Sequence, residues 1–139
     1  DKIKDIDFDY IVVPEAKVLP MVQSVCTILG DRDFVVFRKG VKAYMVNPIE
    51  TSVKSITTLA VQKMVVDGVD ADKIRGKKVL LMDDVVSTGG TFHAMEKLLA
   101  DLDCKIVGYA AALREGTDFS SDNLYYIQDL PVFVGALGE

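Results

Sequence analysis

Val79-Leu80-Leu81-Met82-Asp83-Asp84-Val85-Val86-Ser87-Thr88-Gly89-Gly90-Thr91 is the stretch on which the reading of this chain turns. Val79 to Met82 is too short for a helix and does not alternate with polar residues. The spacing predicts a strand covered on both faces, as in a parallel sheet. Two adjacent carboxylates, Asp83 and Asp84, follow where that strand is expected to end. Small and hydroxylated residues come next, Ser87 to Thr91, and then a helical pattern from about Gly90 to Leu102. In an open parallel sheet, ligands sit beyond the carboxyl ends of the strands. Gly89 and Gly90 allow a close backbone approach that a Cβ would block. A helix begun near Thr91 aims free N–H groups and partial positive charge at the same point. The loop therefore suits a phosphate. The carboxylates suit hydroxyls that donate hydrogen bonds, or a metal-bound water. The combination points to a sugar phosphate. No Lys stands in the loop, which excludes the Gly-Lys-Ser/Thr nucleotide pattern.

Working outward, strands and helices alternate. Phe8 to Val13 reads as a first strand broken by Pro14, and Val18 to Leu29 as a helix stopped at Gly30. Phe34 to Phe37 is a second apolar strand. Arg38 to Thr51, polar and basic, reads as a loop or mobile flap. The β-branched content of Ser55 to Val66 favours an antiparallel pair of strands flanking the sheet. Asp67-Gly68 marks a turn, and Asp72 to Arg75 a short helical turn. Lys105 to Leu113 and Leu124 to Ile127 complete the strands. This order predicts a parallel α/β sheet with helices on both faces.

With 139 residues, 50% of them hydrophobic, the chain is expected to form one domain. A net charge of −5 argues against a general nucleic-acid surface. Cys26 and Cys104 sit in apolar patterns and read as buried thiols, not as a secreted disulfide framework. No segment reaches the ~20 apolar residues of a membrane span, and no signal peptide opens the chain. A cytoplasmic enzyme is the expected class. The chain starts at Asp1 without a methionine, so a preceding N-terminal piece is expected.

Two further segments carry charge to the same sheet edge. Glu15-Ala16-Lys17-Val18 follows the first strand and precedes a helix. Arg38-Lys39-Gly40-Val41-Lys42 puts three cations in five residues after a buried strand. In an acidic protein such a cluster calls for an anionic ligand. Tyr44 and Asn47, further along, are candidates for lining a base or ribose pocket. His93, the only histidine, reads as a surface residue in the first turn of a helix. The methionines and the aromatics Tyr125, Tyr126 and Phe133 read as packing residues.

The opening stretch resembles, residue for residue, the motif by which type I phosphoribosyltransferases bind 5-phosphoribosyl 1-pyrophosphate (PRPP). The resemblance centres on Asp-Asp-x-x-Ser-Thr-Gly-Gly-Thr and runs from about Phe8 to the end. It implies an α/β fold, an open, mainly parallel, twisted, Rossmann-like sheet with helices on both faces and a mobile flap loop. One phosphoribosyltransferase domain is expected over residues 1–139. The implied reaction transfers ribose 5-phosphate from PRPP to a nitrogenous base and releases pyrophosphate, a pentosyltransferase step of nucleotide salvage. By the same resemblance Ser87, Thr88, Gly89, Gly90 and Thr91 hold the 5-phosphate. Asp83 and Asp84 are catalytic, holding the ribose hydroxyls and favouring the cationic sugar. Glu15, Ala16, Lys17, Arg38, Lys39 and Lys42 bind pyrophosphate. Mg2+ rides on PRPP, assisted by Asp83 and Asp84, with no metal site of the protein's own.

The resemblance is closest to adenine-type (purine) members. Their pyrophosphate loop reads Glu/Asp-Ala/Ser-Arg-Gly-Phe, where this chain has Lys17 for the arginine and Val18 for the glycine. Hypoxanthine–guanine members carry an aspartate at the place of Ser87. The adenine flap signature Ser-Tyr-x-Leu-Glu-Tyr-Gly is not reproduced around Glu50, and at most nine residues precede the first strand, where the family builds its base-covering hood. Adenine is therefore the leaning. Hypoxanthine, xanthine and orotate stay open, as does a PRPP-sensing regulatory domain without catalysis. The expected partners are PRPP and a purine base, with no nucleic acid and no membrane, in a cytoplasmic homodimer.

Overall fold

The computed structural model describes residues 2–54 and 61–131. The elements are β1 Tyr10–Pro14, α1 Leu19–Ile28, β2 Phe34–Phe37, β3 Ile49–Lys54, β4 Val61–Val66, α2 Gly68–Ile74, β5 Lys78–Val86, α3 Gly90–Asp101, β6 Lys105–Glu115 and β7 Leu124–Leu130. Five strands form one parallel sheet in the order β2-β1-β5-β6-β7. The expected helices on both faces are present. Ile11, Val13, Leu80 and Met82 pack with Val22 and Cys26 of α1 on one face. Val12, Val79, Leu81 and Ala111 pack on the other with Ala71 and Ile74 of α2 and Met95, Leu98 and Leu99 of α3. Adjacent residues of β1 and β5 thus serve opposite cores. That explains the unbroken apolar runs, since each fully buried aliphatic side chain contributes about 1.5–3 kcal/mol.

The antiparallel pair is β3 with β4, in register from Ile49↔Val66 to Lys54↔Val61. It hangs on the edge of the main sheet through Arg38, whose N–H donates to Val65 O at 2.7 Å and whose carbonyl accepts from Val65 N at 2.8 Å. Met64 and Val66 lie in the same core as α3. The basic loop therefore ends at Pro48, not Thr51, because Ile49 to Thr51 are drawn into pairing with β4. The pair expected within Ser55 to Val66 is therefore displaced: β4 begins at Val61, and its partner β3 lies upstream, mostly in the stretch read as a loop; residues 55–60 lie outside the described ones, as does Phe133.

Three further boundaries differ from the pattern-based expectation. β1 includes Pro14, which lies opposite Phe37 of β2. The expected turns at Asp67-Gly68 and Asp72–Arg75 are one helix, α2, capped by Asp67. β5 does not stop before the acidic pair. It continues to Val86 because β6 runs beside it, from Asp83↔Ala111 to Val86↔Arg114, after pairing with β1 has ended at Val12↔Leu81. Among the described residues no helix is long and apolar enough to cross a membrane.

Chain order creates the site. From β1 the chain crosses through α1 to β2 on one side; from β5 it crosses through α3 to β6 on the other. β1 and β5 are neighbours, so the loops leaving their carboxyl ends diverge. A crevice at such a reversal is where open α/β sheets bind ligands.

Candidate functional site

The β5–α3 loop is a cup. Asp83 and the run from Ser87 to Thr91 line a cavity of about 230 Å³ at the N-terminus of α3. The first α3 bond recorded from outside the helix is His93 N–H to Gly89 O, at 2.8 Å. Gly90 N–H donates to Thr88 Oγ1 at 3.3 Å. Among the described residues the N–H groups of Ser87, Thr88 and Gly89 meet no protein acceptor. Free donors at a helix start, with its partial positive charge, are suited to an anion. Gly89 makes the cup possible in two ways. Its φ is +84°, and a Cβ there would stand 2.3 Å from Phe119 Cδ1.

Phe119, from the β6–β7 loop, is the one supporting residue that pattern reading missed. It is buried against Phe92 at 5.3 Å and Tyr109 at 5.2 Å between ring centroids. Its only signal is a lone aromatic in the polar run Gly116-Thr117-Asp118-Phe119-Ser120. His93 is exposed, as expected. It faces Glu96 at 3.4 Å, and Glu96 accepts from the Tyr109 hydroxyl at 2.8 Å.

Asp83 lines the cup; Asp84, next to it on β5, is not among the lining residues. Asp84 N–H donates to Asp83 Oδ1 at 2.8 Å, and Val85 N–H to Asp84 Oδ1 at 2.9 Å. Burial, then the neighbouring Asp84 side chain, pushes the Asp83 carboxyl up to about 7, against the pull of the Lys39 ammonium. Thus the β2 loop brings positive charge to the acidic pair.

The other expected residues divide. Glu15, Arg38, Lys39 and Lys42 come together. Lys39 N–H donates to Glu15 Oε1 at 2.6 Å, and Arg38 Nη1 stands 3.5 Å from Oε2. Lys39 N–H, followed by the charges of Lys42 and Arg38, holds the Glu15 carboxyl below its ordinary range. Ala16 and Lys17 are exposed on the same sheet edge, in the β1–α1 connection. The Glu15–Ala16 peptide is cis. Val18 occupies an ordinary right-handed conformation and is buried under α1, so this loop does not need a glycine there. Tyr44 does not join the cup. It lines a separate hollow with Phe34, Val36 and Met45, on the outer side of β2.

The family model described as phosphoribosyl transferase domain matches residues 2–134. A hypoxanthine/guanine phosphoribosyltransferase of Methanothermococcus okinawensis is 32% identical over 115 residues, 83% of this chain and 58% of that protein. An adenine phosphoribosyltransferase of Pseudothermotoga lettingae is 34% identical over 108 residues, 78% of this chain and 60% of that protein. The chain thus spans 58–60% of the length of these two relatives. In fold it is similar to the crystal structure of an adenine phosphoribosyltransferase from Thermoanaerobacter pseudethanolicus, with a TM-score of 0.75 at 19% identity, over 92% of this chain and 73% of that one. An adenine phosphoribosyltransferase from Giardia lamblia complexed with 9-deazaadenine gives a TM-score of 0.76 at 20% identity, covering 94% and 74%.

Proposed function

The chain belongs to the phosphoribosyl transferase domain family, and we propose that it transfers ribose 5-phosphate from PRPP to a purine base with release of pyrophosphate. The carrying observation is the anion cup of Ser87 to Thr91 beside a carboxylate pair, at the reversal point of the sheet. In the reaction the anomeric C1–O bond to pyrophosphate breaks and a C1–N bond to the base forms. The base's N–H proton leaves to solvent. Positive charge gathers on the sugar as the leaving group departs, so the protein's task is positioning and electrostatics.

In this reading Ser87, Thr88, Gly89, Gly90 and Thr91 hold the 5-phosphate through hydroxyls and free N–H groups. Asp83 and Asp84 accept from the ribose hydroxyls and favour the cationic sugar. Lys17, Arg38, Lys39 and Lys42 stabilise the departing pyrophosphate, with Glu15 and Ala16 shaping the loop. Mg2+ enters on PRPP and offsets phosphate charge. Among the described residues no cluster of three or more ligating side chains is built for a metal. Two carboxylates suit an ion that keeps most of its waters. One domain, a homodimeric assembly and nucleotide salvage belong to the same reading. Cys26 and Cys104 are free thiols, which fits a reducing, cytoplasmic compartment.

Adenine is the base we favour, because Ser87 stands where the hypoxanthine–guanine members carry an aspartate. The relatives divide between the two classes. The test is pyrophosphate release from Mg-PRPP against adenine, hypoxanthine, guanine, xanthine and orotate. Turnover with adenine alone is expected; preference for a 6-oxopurine would move the assignment to the other branch. PRPP binding without turnover on any base would replace the enzyme with a sensor.

A further inference from the structure

We propose that Glu15 is a positioning residue that braces the pyrophosphate cations and does not itself meet the substrate. The inference rests on the PRPP reading above. The end of β1 is pinned to β2 by Glu15 N–H donating to Phe37 O at 2.9 Å. From that fixed point the side chain reaches across the sheet edge. Oε1 takes the Lys39 N–H at 2.6 Å and Oε2 faces Arg38 Nη1 at 3.5 Å. Both oxygens are thus committed to the loop after β2, and the side chain is only 17% exposed. A carboxylate turned toward pyrophosphate would meet like charge; here both oxygens face the loop after β2.

The consequence is a division of labour among the cations. Arg38 is held on both sides, by its backbone on Val65 and its guanidinium on Glu15. Lys39 has its backbone fixed, while its ammonium acts on Asp83 across the crevice. Glu15 therefore fixes the backbone from which the Lys39 ammonium reaches into the crevice. What this task needs from residue 15 is above all an acceptor for the Lys39 N–H, at 2.6 Å; the 3.5 Å pairing with Arg38 is the lesser part.

That distinction is measurable. Glu15→Ala is expected to weaken Mg-PRPP binding by about tenfold in calorimetry, the scale of one hydrogen bond to a charged group. Glu15→Gln keeps an amide oxygen for Lys39 and is expected to recover most of that loss. The Lys39 amide should exchange faster with solvent in Glu15→Ala and stay protected in Glu15→Gln, without any ligand. If Glu15→Gln is as weak as Glu15→Ala although its Lys39 amide stays protected, the Lys39 acceptor is not what binding needs, and the brace is wrong. Unchanged binding and exchange in Glu15→Ala also overturns it. Failure of the wild-type chain to bind PRPP would sink the functional reading instead, and Lys39 exchange would then decide the brace alone.

Discussion

At the scale of single residues, Asp83 couples structure to pH. Burial and the neighbouring Asp84 lift its carboxyl to about 7, while an unfolded aspartate ionises near 3.8. Between those two values the folded state holds a proton that the unfolded state has lost. Stability from this group is therefore full below the lower value and falls as pH rises toward the upper one. An ionised carboxylate accepts from hydroxyls more strongly than a protonated one, so binding a ribose should favour loss of the Asp83 proton. PRPP affinity is expected to strengthen from pH 6 to 8, with proton release visible in buffers of different ionisation enthalpy. Asp83→Asn should abolish that release; release of the same size in the variant would exclude the pair as its source. Gly89 is the other decisive residue. Alanine there must adopt a left-handed φ, at about 1–2 kcal/mol, and collides with Phe119. Gly89→Ala should destabilise the fold by about 2 kcal/mol or more in urea, and less so in a Phe119→Ala background, where the ring is gone. The acidic pair and the glycines were legible because their neighbours in sequence are their neighbours in space. Phe119 was not, because its meeting with Gly89 is made by β6 returning along β5.

At the scale of elements, local pattern located the strands but did not decide their ends. A strand continues while a neighbour offers hydrogen bonds, and β6 offers them to β5 as far as Val86, past two aspartates that composition would place in a loop. The β3–β4 pair shows the same limit: β-branched content announced β4, whereas most of β3 lies where polar composition reads as a loop, and it is a strand because β4 pairs with it. Asp67 joins two elements that read as unrelated turns. Its Oδ1 caps α2 through Val69 N–H at 3.4 Å and takes Val46 N–H at 3.0 Å from the basic loop. Gly68 fits beneath that loop, where a Cβ would lie 2.4 Å from Val46 O. Asp67→Ala removes a helix cap and a loop anchor together, and is expected to cost about 1–2 kcal/mol in chemical denaturation. Asp67→Asn, which keeps the acceptor, should cost much less. Equal losses would mean that the charge, not the capping oxygen, matters.

At the scale of the molecule, the crevice belongs to both halves of the sheet. The β1–α1–β2 half supplies Glu15, Arg38, Lys39 and Lys42; the β5–α3–β6 half supplies Asp83, Asp84 and the anion cup. The α/β class and the sheet edge carrying the candidate site were readable from the order of elements. The base is not readable in the same way, because no run of residues encodes a pocket assembled from separate loops. A ligand that bridges the two halves stabilises the whole cooperative unit, by about 2.7 kcal/mol at a concentration one hundred times its dissociation constant. Fragments should divide that effect. Ribose 5-phosphate occupies the cup and the acidic pair, and pyrophosphate the cations. In thermal unfolding, Mg-PRPP is expected to raise the midpoint more than either fragment at equal concentration. Asp83→Asn combined with Asp84→Asn should reduce the ribose 5-phosphate shift to what the cup alone supports and leave the pyrophosphate shift. Lys39→Ala should do the reverse. If the aspartate variants lose both shifts alike, the two halves do not hold separate parts of one substrate, and the assignment of the crevice to a diphosphorylated sugar fails.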